Sequence, residues 1–137
     1  MELAAPKLVM ESSLYVSDLE RAKNFYERVL GLSAMEGFES GRGLGIIVGP
    51  TVLLLFIAEK TLQGGSLPVH GAKGPGHVAF RVAPEEIPKW RERLRECGVE
   101  IEQEVKFGDN PPSLYFRDPD GNLLEMAVKG LWPLKEA

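Results

Sequence analysis

Three scarcities in this sequence exclude whole classes of protein. The chain of 137 residues has one cysteine, Cys97, so no disulfide can form within it, and we expect a reducing, cytoplasmic setting. It has no run of lysine or arginine and carries a net charge of −4, which argues against a nucleic-acid partner. The longest apolar run, TVLLLFIA at 51–58, is too short to cross a bilayer, and the N-terminus lacks the pattern of a signal peptide, so we expect no membrane partner.

What is present is enough apolar sequence for a folded core. Apolar residues make up 44% of the chain, which is too high a share for a disordered protein. A length of 137 residues suits one domain, or two small halves that share a core.

The first half predicts one helix among four strands. Alternation and turn signals favour strands at 8–16 and near 32–38, 43–49 and 52–58, and three- and four-residue apolar steps favour a helix over 18–30. We call 8–58 module one.

The second half repeats this order. A strand is predicted at 76–82, a helix at 84–97, and strands near 99–106, 113–118 and 122–128. Module two is therefore 76–129, with a glycine-rich connector at 59–75 and a tail at 130–137. His70 lies in that connector, where we expect it to be solvated.

The repeat predicts an α+β fold of two βαβββ modules. A helix covers one face of each module's sheet and leaves the opposite face open. Two such modules would form a curled mixed sheet around an open cleft, with the helices on the outer face, and a cleft of this kind is where a ligand binds.

Three stretches of the chain resemble one known superfamily. LYVSDLERAKNFYERVLGL at 14–32, GHVAFRV at 76–82 and LYFRDPDGNLLEM at 114–126 are similar to the vicinal-oxygen-chelate proteins. That group contains glyoxalases, bleomycin-resistance proteins and extradiol dioxygenases. The resemblance spans residues 8–129 and implies a single glyoxalase-like domain over 1–137. It also implies a divalent metal ion held at the first and last strands of each module.

The resemblance implies three metal ligands in this chain. The first position stands seven residues before Asp18 and falls on Glu11, and its counterpart in module two is His77. The last strand of module two gives Glu125. The matching position in module one is Leu54, which cannot bind a metal.

Strand periodicity tests these positions independently. With Leu14 and Val16 facing the helix, Glu11, Ser13 and Tyr15 would lie on the open face of module one. By the same alternation His77 and Arg81 on the first strand of module two, and Glu125 on its last strand, would lie on that module's open face. All three candidate ligands therefore point to the side where a cleft is expected.

Two carboxylates and an imidazole suit a hard divalent ion such as Mn²⁺, Fe²⁺, Ni²⁺, Zn²⁺ or Mg²⁺. Such an ion would stabilise an enolate or other oxyanion, with Glu125 or Glu11 as the catalytic base. Arg81 could anchor an anionic substrate, although an ion pair with Glu11 or Glu125 is an equally simple use. The remaining predicted substrate-binding residues are Tyr15, Ser13, Leu54 and Phe56, and the apolar ones indicate a small molecule with a partly apolar body.

The resulting prediction is a metal-dependent lyase or isomerase of the glyoxalase type. The alternatives are a metal-free sequestering protein of the bleomycin-resistance type, a dioxygenase-like protein, or a partner-binding subunit whose cleft is vestigial. In the metal-free case Glu11, His77 and Arg81 would bond one another. We expect a homodimer, since closed two-fold dimers are the commonest homo-oligomers, and the cleft could form within one chain or across two.

Overall fold

The computed structural model describes residues 2–35 and 41–134. Its internal contacts divide the chain into unit 1, Met1–Lys73, and unit 2, Gly74–Ala137, each of which is described by itself. Across these described ranges no helix combines the length and apolar character that spanning a membrane requires.

Unit 1 has the predicted βαβββ order. Its elements are β1 (Glu11–Tyr15), α1 (Leu19–Arg28), β2 (Ser33–Ala34), β3 (Gly43–Val48), β4 (Thr51–Phe56) and a short α2 (Ala58–Thr61). The sheet order is β1-β4-β3-β2, with β1 parallel to β4 and the other pairs antiparallel. The second predicted strand, 32–38, runs partly into residues 36–40, which lie outside the described part of the chain.

The core of unit 1 forms between α1 and one face of this sheet. Leu14, Leu53 and Leu55 are almost fully buried from the sheet side, and Ala22 and Tyr26 are buried from the helix side. The opposite face carries the polar residues of β1. The burial of β1 fits the period-two prediction in part: Leu14 is buried while Glu11 and Ser13 are exposed, but Ser12, on the same parity as Leu14, is exposed as well.

Unit 2 repeats the architecture. Its elements are β5 (His77–Val82), a 3₁₀ turn (Pro84–Glu86) leading into α3 (Ile87–Glu96), β6 (Gln103–Val105), β7 (Ser113–Arg117), β8 (Leu123–Val128) and a final 3₁₀ turn (Lys129–Leu131). The sheet order is β5-β8-β7-β6, with β5 parallel to β8. Pro88 lies in the first turn of α3, where its missing N–H has no partner to lose.

The predicted α+β class with two βαβββ modules is confirmed. Each unit has a mixed four-stranded sheet, and helical contacts join α1 to β3 and β4, and α3 to β7. The predicted strand 99–106 shortens to β6, Gln103–Val105. One consequence matters for the site: β8 pairs on both sides, so Glu125 stands on an interior strand and is not an edge carboxylate in water.

Candidate metal and ligand sites

Unit 2 has a cavity of about 820 Å³ on its open face, the sheet face opposite α3. His77 and Arg81 reach it from β5, Tyr115 from β7 and Glu125 from β8. The outer part of the same cavity is apolar and includes Phe107 and Trp132. Polar groups thus gather on the strands while aromatic rings line the rim.

His77 and Glu125 meet inside this cavity. The Nε2 atom of His77 lies 3.2 Å from Oε1 of Glu125. The other ring nitrogen, Nδ1, lies 2.9 Å from the carbonyl oxygen of Leu123, the residue directly opposite His77 in the β5–β8 register. Parallel pairing therefore fixes both the position and the orientation of the imidazole.

The carboxylate of Glu125 is buried, and only one of its two oxygens contacts a polar partner among the described residues. The residue is 4% exposed, and its Oε2 atom has no hydrogen-bond partner among the residues that the structure describes. A buried carboxylate oxygen without a partner costs free energy. A cation, a proton on the carboxyl, or the neighbouring Tyr115 hydroxyl could each supply that partner.

The hydrogen bond to Leu123 decides the tautomer of His77. A carbonyl oxygen can only accept, so Nδ1 must carry the hydrogen that is donated to it. In the neutral ring Nε2 is then a lone pair, and this lone pair faces the Glu125 carboxylate at 3.2 Å. Two such acceptors face each other stably when a proton, on the ring or on the carboxyl, or a cation lies between them. A ligating histidine whose other N–H is held by a backbone carbonyl has the second contact typical of metal sites.

Tyr115 is a member of this group that the sequence reasoning missed. It lies directly opposite Glu125 in the β7–β8 register, and its ring stacks near His77 with centroids 6.2 Å apart. Burial, and then the negative charge of Glu125, raise the pKa of the Tyr115 phenol above its usual value. Extending the period-two argument from β8 to β7 would have placed Tyr115 on the open face.

Arg81 points to the cavity without an ion pair. It is exposed and forms no salt bridge to any carboxylate in residues 2–35 or 41–134. The alternative of an Arg81–Glu125 ion pair is therefore not what the structure shows, because Glu125 faces His77. The nearby Arg117 forms a bidentate pair with Glu102 at 2.9 and 3.0 Å.

Unit 1 has its own cavity, of about 740 Å³, on the open face opposite α1. The five residues predicted there all line it: Glu11, Ser13, Tyr15, Leu54 and Phe56. The parallel β1–β4 register explains this, since it sets Ser13 beside Leu54 and Tyr15 beside Phe56. The arrangement matches the predicted positions, and a role in binding stays a prediction.

His70 was predicted to be solvated, and this is wrong. Its Nδ1 lies 2.6 Å from the Tyr15 hydroxyl, and its ring packs edge-on against Phe56 with centroids 4.7 Å apart. Thr61, which is buried, bonds the backbone of His70 through both its hydroxyl and its carbonyl oxygen. The connector thus folds back and places His70 in the wall of the unit 1 cavity.

The predicted three-ligand set is divided between the units. His77 and Glu125 come together in unit 2, while Glu11 belongs to unit 1. Within 2–35 and 41–134 no group of three or more histidine, cysteine, aspartate or glutamate side chains is close enough to hold a metal ion. Unit 2 supplies a two-residue pair, and the third ligand stays a prediction.

Comparisons with known proteins agree with this architecture. Residues 8–126 match the family described as Glyoxalase/Bleomycin resistance protein/Dioxygenase superfamily. The chain is 30% identical over 119 residues to glutathione transferase FosA of Serratia marcescens, which covers 87% of this chain and 79% of that one. It is 28% identical over 116 residues to fosfomycin resistance protein FosX of Listeria monocytogenes, which covers 83% and 84%.

Solved structures give the same result. A lactoylglutathione lyase from Agrobacterium tumefaciens superposes with a TM-score of 0.89 at 30% identity, over 96% of this chain and all of that one. FosX of Listeria monocytogenes, solved with Mn(II) and 1S,2S-dihydroxypropylphosphonic acid, has a TM-score of 0.68 at 21% identity over 91% and 93% of the chains. The second likeness is one of fold.

Proposed function

The chain belongs to the glyoxalase/bleomycin resistance protein/dioxygenase superfamily, and from that premise we propose that it is a divalent-metal-dependent enzyme acting on a small molecule. We propose further that the reaction is that of a lyase or isomerase. His77 and Glu125 are the proposed ligands in unit 2, and Glu11 is the proposed third.

One observation carries this proposal: the histidine lone pair and the carboxylate face each other beside a buried oxygen that has no partner. His77 and Glu125 would hold a divalent cation, since an imidazole nitrogen and a carboxylate are donors that such ions accept. The Nδ1–H of His77, held by Leu123, fixes the ring for that task. The donor set therefore fits the metal that the resemblance implies.

The bound ion would supply Lewis-acid stabilisation of an oxyanion. The chain's own residues account for the rest. Arg81, with its charge unneutralised, binds an anionic group of the substrate. The Tyr115 hydroxyl stays protonated at neutral pH, because burial and then the charge of Glu125 and a hydrogen bond with it raise the pKa of the phenol, and it orients the Glu125 carboxylate. Glu125 or Glu11, when not engaged as a ligand, would remove the proton next to the developing oxyanion.

The relatives support both the metal and the class of reaction. FosB of Bacillus licheniformis, 30% identical over 113 residues, is named a metallothiol transferase, and the FosX structure contains Mn(II). The lactoylglutathione lyase at 30% identity favours a lyase, whereas the FosA and FosB names favour a transferase as the other enzymatic outcome.

Metal analysis tests the metal site. The full-length protein, purified without chelator and dialysed against Mn²⁺, should bind about one ion per chain by elemental analysis. His77→Gln and Glu125→Gln should lose at least about tenfold in affinity, and Glu11→Gln should lose a similar amount if it is the third ligand. The controls are His70→Gln and Glu100→Gln, which change the same residue types elsewhere and should bind the ion as the original protein does. Equal metal content in all five variants would refute the site.

Two substrates separate the candidate reactions. Mn²⁺-loaded protein is assayed for formation of S-lactoylglutathione from methylglyoxal and glutathione, and separately for loss of fosfomycin in the presence of glutathione. Turnover of the first supports a lyase. Turnover of the second alone reassigns the protein to the transferases. A metal-loaded protein that converts neither leaves the metal site in place and removes these two reactions.

A metal-free binding protein is the second candidate, and the His77–Glu125 contact also favours it. If the ring is protonated, the 3.2 Å contact is an ion pair that needs no metal. For a metal-free binding protein we expected Glu11, His77 and Arg81 to bond one another. The observed partner of His77 is instead Glu125. A protein that binds no divalent ion but binds aromatic ligands, seen by fluorescence quenching, would establish this candidate.

A further inference from the structure

One end of the unit 1 cavity concentrates groups suited to an anion. We propose that Arg42, with the hydrogen-bonded pair Tyr15 and His70, binds the carboxylate or an equivalent anionic group of a small aromatic ligand. Neither Arg42 nor His70 belongs to the site predicted from sequence. The inference names the class of compound bound in unit 1, and it rests on the proposed function only in treating that compound as a substrate.

The cavity has two poles of opposite charge. Glu11 begins β1 and Tyr15 ends it, and four residues of extended strand separate them by about 13 Å. Arg42 immediately precedes β3, whose first residue, Gly43, pairs with Phe56 and so stands level with Tyr15. The arginine end of the cavity is therefore remote from Glu11, the carboxylate that lines it within the described part of the chain.

The charge of Arg42 is held in place by an aromatic ring and has no ion-pair partner in 2–35 or 41–134. Its guanidinium carbon lies 5.9 Å from the centroid of the Phe56 ring, a cation–π contact. Among the described residues no carboxylate pairs with it. Lys60 is the other cation nearby: it donates to the carbonyl oxygen of Gly41 and lines, with Arg42, an adjoining pocket of about 330 Å³. An incoming anion meets positive charge here.

The Tyr15–His70 pair adds oriented polar groups. The Tyr15 hydroxyl and Nδ1 of His70 are 2.6 Å apart, while Nε2 of His70 forms no hydrogen bond within the described part of the chain. Thr61 and Phe56 hold the histidine, so little entropy is lost when a ligand binds to it. If Nδ1 of His70 accepts the hydrogen bond from Tyr15, Nε2 carries the hydrogen of the neutral ring. Nε2 can then donate a hydrogen bond to an anionic oxygen.

The wall of the cavity beside this anion-binding end is apolar. Leu54 and Phe56 line it from β4. The spaces over Gly43 and Gly45 on β3 are already filled by the Phe56 ring and the Met35 side chain, since a Cβ at Gly43 would lie 2.5 Å from that ring and a Cβ at Gly45 would meet the terminal methyl of Met35. Leu67 and Pro68 close the outer side. The body of the ligand is therefore apolar and its charge sits at one end.

Benzoate and its neutral analogue benzamide test the proposal. They are titrated into full-length, chelator-treated protein, and binding is followed by chemical-shift changes in NMR spectra. We expect benzoate to bind with a millimolar dissociation constant and benzamide at least about tenfold more weakly, because only the carboxylate makes charge-assisted hydrogen bonds. Arg42→Gln should weaken benzoate about tenfold or more, while Arg42→Lys keeps the charge and should lose less. Arg28→Gln, an exposed arginine on α1, should bind benzoate as the original protein does.

The His70→Gln variant distinguishes a failure of the proposed anion site from a failure of the proposed metal site. It should weaken benzoate several-fold yet leave the Mn²⁺ content unchanged, whereas His77→Gln should lose the metal and keep benzoate binding. Equal binding of benzoate and benzamide, an unaffected Arg42→Gln variant, or no benzoate binding at millimolar concentration would each overturn the anion site. None of those results bears on the metal site, which fails only if the metal analysis fails.

Discussion

Glu125 sets the balance between stability and function at the residue scale. A carboxylate that is 4% exposed, with one oxygen unpartnered, is costly to bury. Replacing it by glutamine removes the charge and keeps the shape. We predict that metal-free Glu125→Gln unfolds with a free energy equal to that of the original protein or up to about 1 kcal/mol higher, as measured by urea denaturation.

Bound metal should make the original protein more stable to unfolding than Glu125→Gln. At a Mn²⁺ concentration of about 100 times its dissociation constant, the original protein should gain roughly 2.7 kcal/mol of stability and Glu125→Gln almost none. Glu100→Gln, at an exposed position, serves as the control and should gain as the original does. A metal-free Glu125→Gln protein that is destabilised by more than about 1 kcal/mol would show that the carboxylate is structural.

The residues of the site were predictable to different extents. Period-two alternation placed His77, Arg81 and Glu125 on one face because each strand fixes its own parity. Arg42 and His70 were missed for a different reason. They lie outside regular strands, and the contact between Tyr15 and His70 joins residues 55 positions apart. No local pattern encodes such a contact in a connector rich in glycine.

At the scale of one strand, Gly43 and Gly45 offer a matched pair on β3. A Cβ at Gly43 would lie 2.5 Å from Phe56 and 2.7 Å from the backbone oxygen of Leu55, which cannot move without disturbing the sheet. A Cβ at Gly45 would meet mainly the terminal methyl of Met35, which is flexible and partly exposed. We predict that Gly43→Ala costs about 1–3 kcal/mol in urea denaturation and Gly45→Ala less than about 1 kcal/mol. Equal costs would contradict the packing described for Phe56.

The ion pair that joins α3 to β6 should make the stability of the protein depend on pH. Arg91 donates two hydrogen bonds to Glu104, at 3.0 and 2.8 Å, and this lowers the pKa of the Glu104 carboxyl below its usual value. A lowered folded-state pKa adds stability that is present above the unfolded-state pKa and is lost as the pH falls through the folded-state value. We predict that Glu104→Gln destabilises by less than about 1 kcal/mol at pH 7, because the pair is well solvated.

The difference in unfolding free energy between the original protein and Glu104→Gln should vanish in acid. Urea denaturation from neutral pH down to below the lowered pKa of Glu104 should show the original protein and Glu104→Gln converging. Glu100→Gln, which changes a carboxylate without an ion pair in the described residues, should show no comparable convergence. A Glu104→Gln deficit that persists at the acid end would mean that packing, and not charge, joins α3 to β6.

The order of elements was predictable, while their lengths were less so. Apolar periodicity changes from two to three or four at each helix, and glycine ends both helices, so the βαβββ repeat could be read directly. Strand ends depend on pairing partners that no local pattern contains. This is why 99–106 shortens to Gln103–Val105, the residues that β7 pairs with.

At the scale of the whole molecule, each unit presents half of the proposed chemistry. Unit 1 has Glu11 and the anion-binding end, and unit 2 has the His77–Glu125 pair. We predict a homodimer, with a mass twice the 15.1 kDa of one chain by sedimentation equilibrium. β1 and β5 are each the edge strand of their sheet, and such edges are where another chain can pair. A species of 15.1 kDa at micromolar concentration would contradict the dimer.

Mixing two defective variants tests whether the metal ligands come from different copies. Glu11→Gln and His77→Gln each remove one proposed ligand. If Glu11 of one copy acts with His77 and Glu125 of the other, a mixed dimer has one site lacking both residues and one site that is intact. We predict that unfolding and refolding the two variants together restores metal binding to about a quarter of the original level, because half of the dimers are mixed and half of their sites are whole. Each variant refolded alone should restore none. If ligands instead came from a single chain, every site in the mixture would lack one residue, and no metal would return.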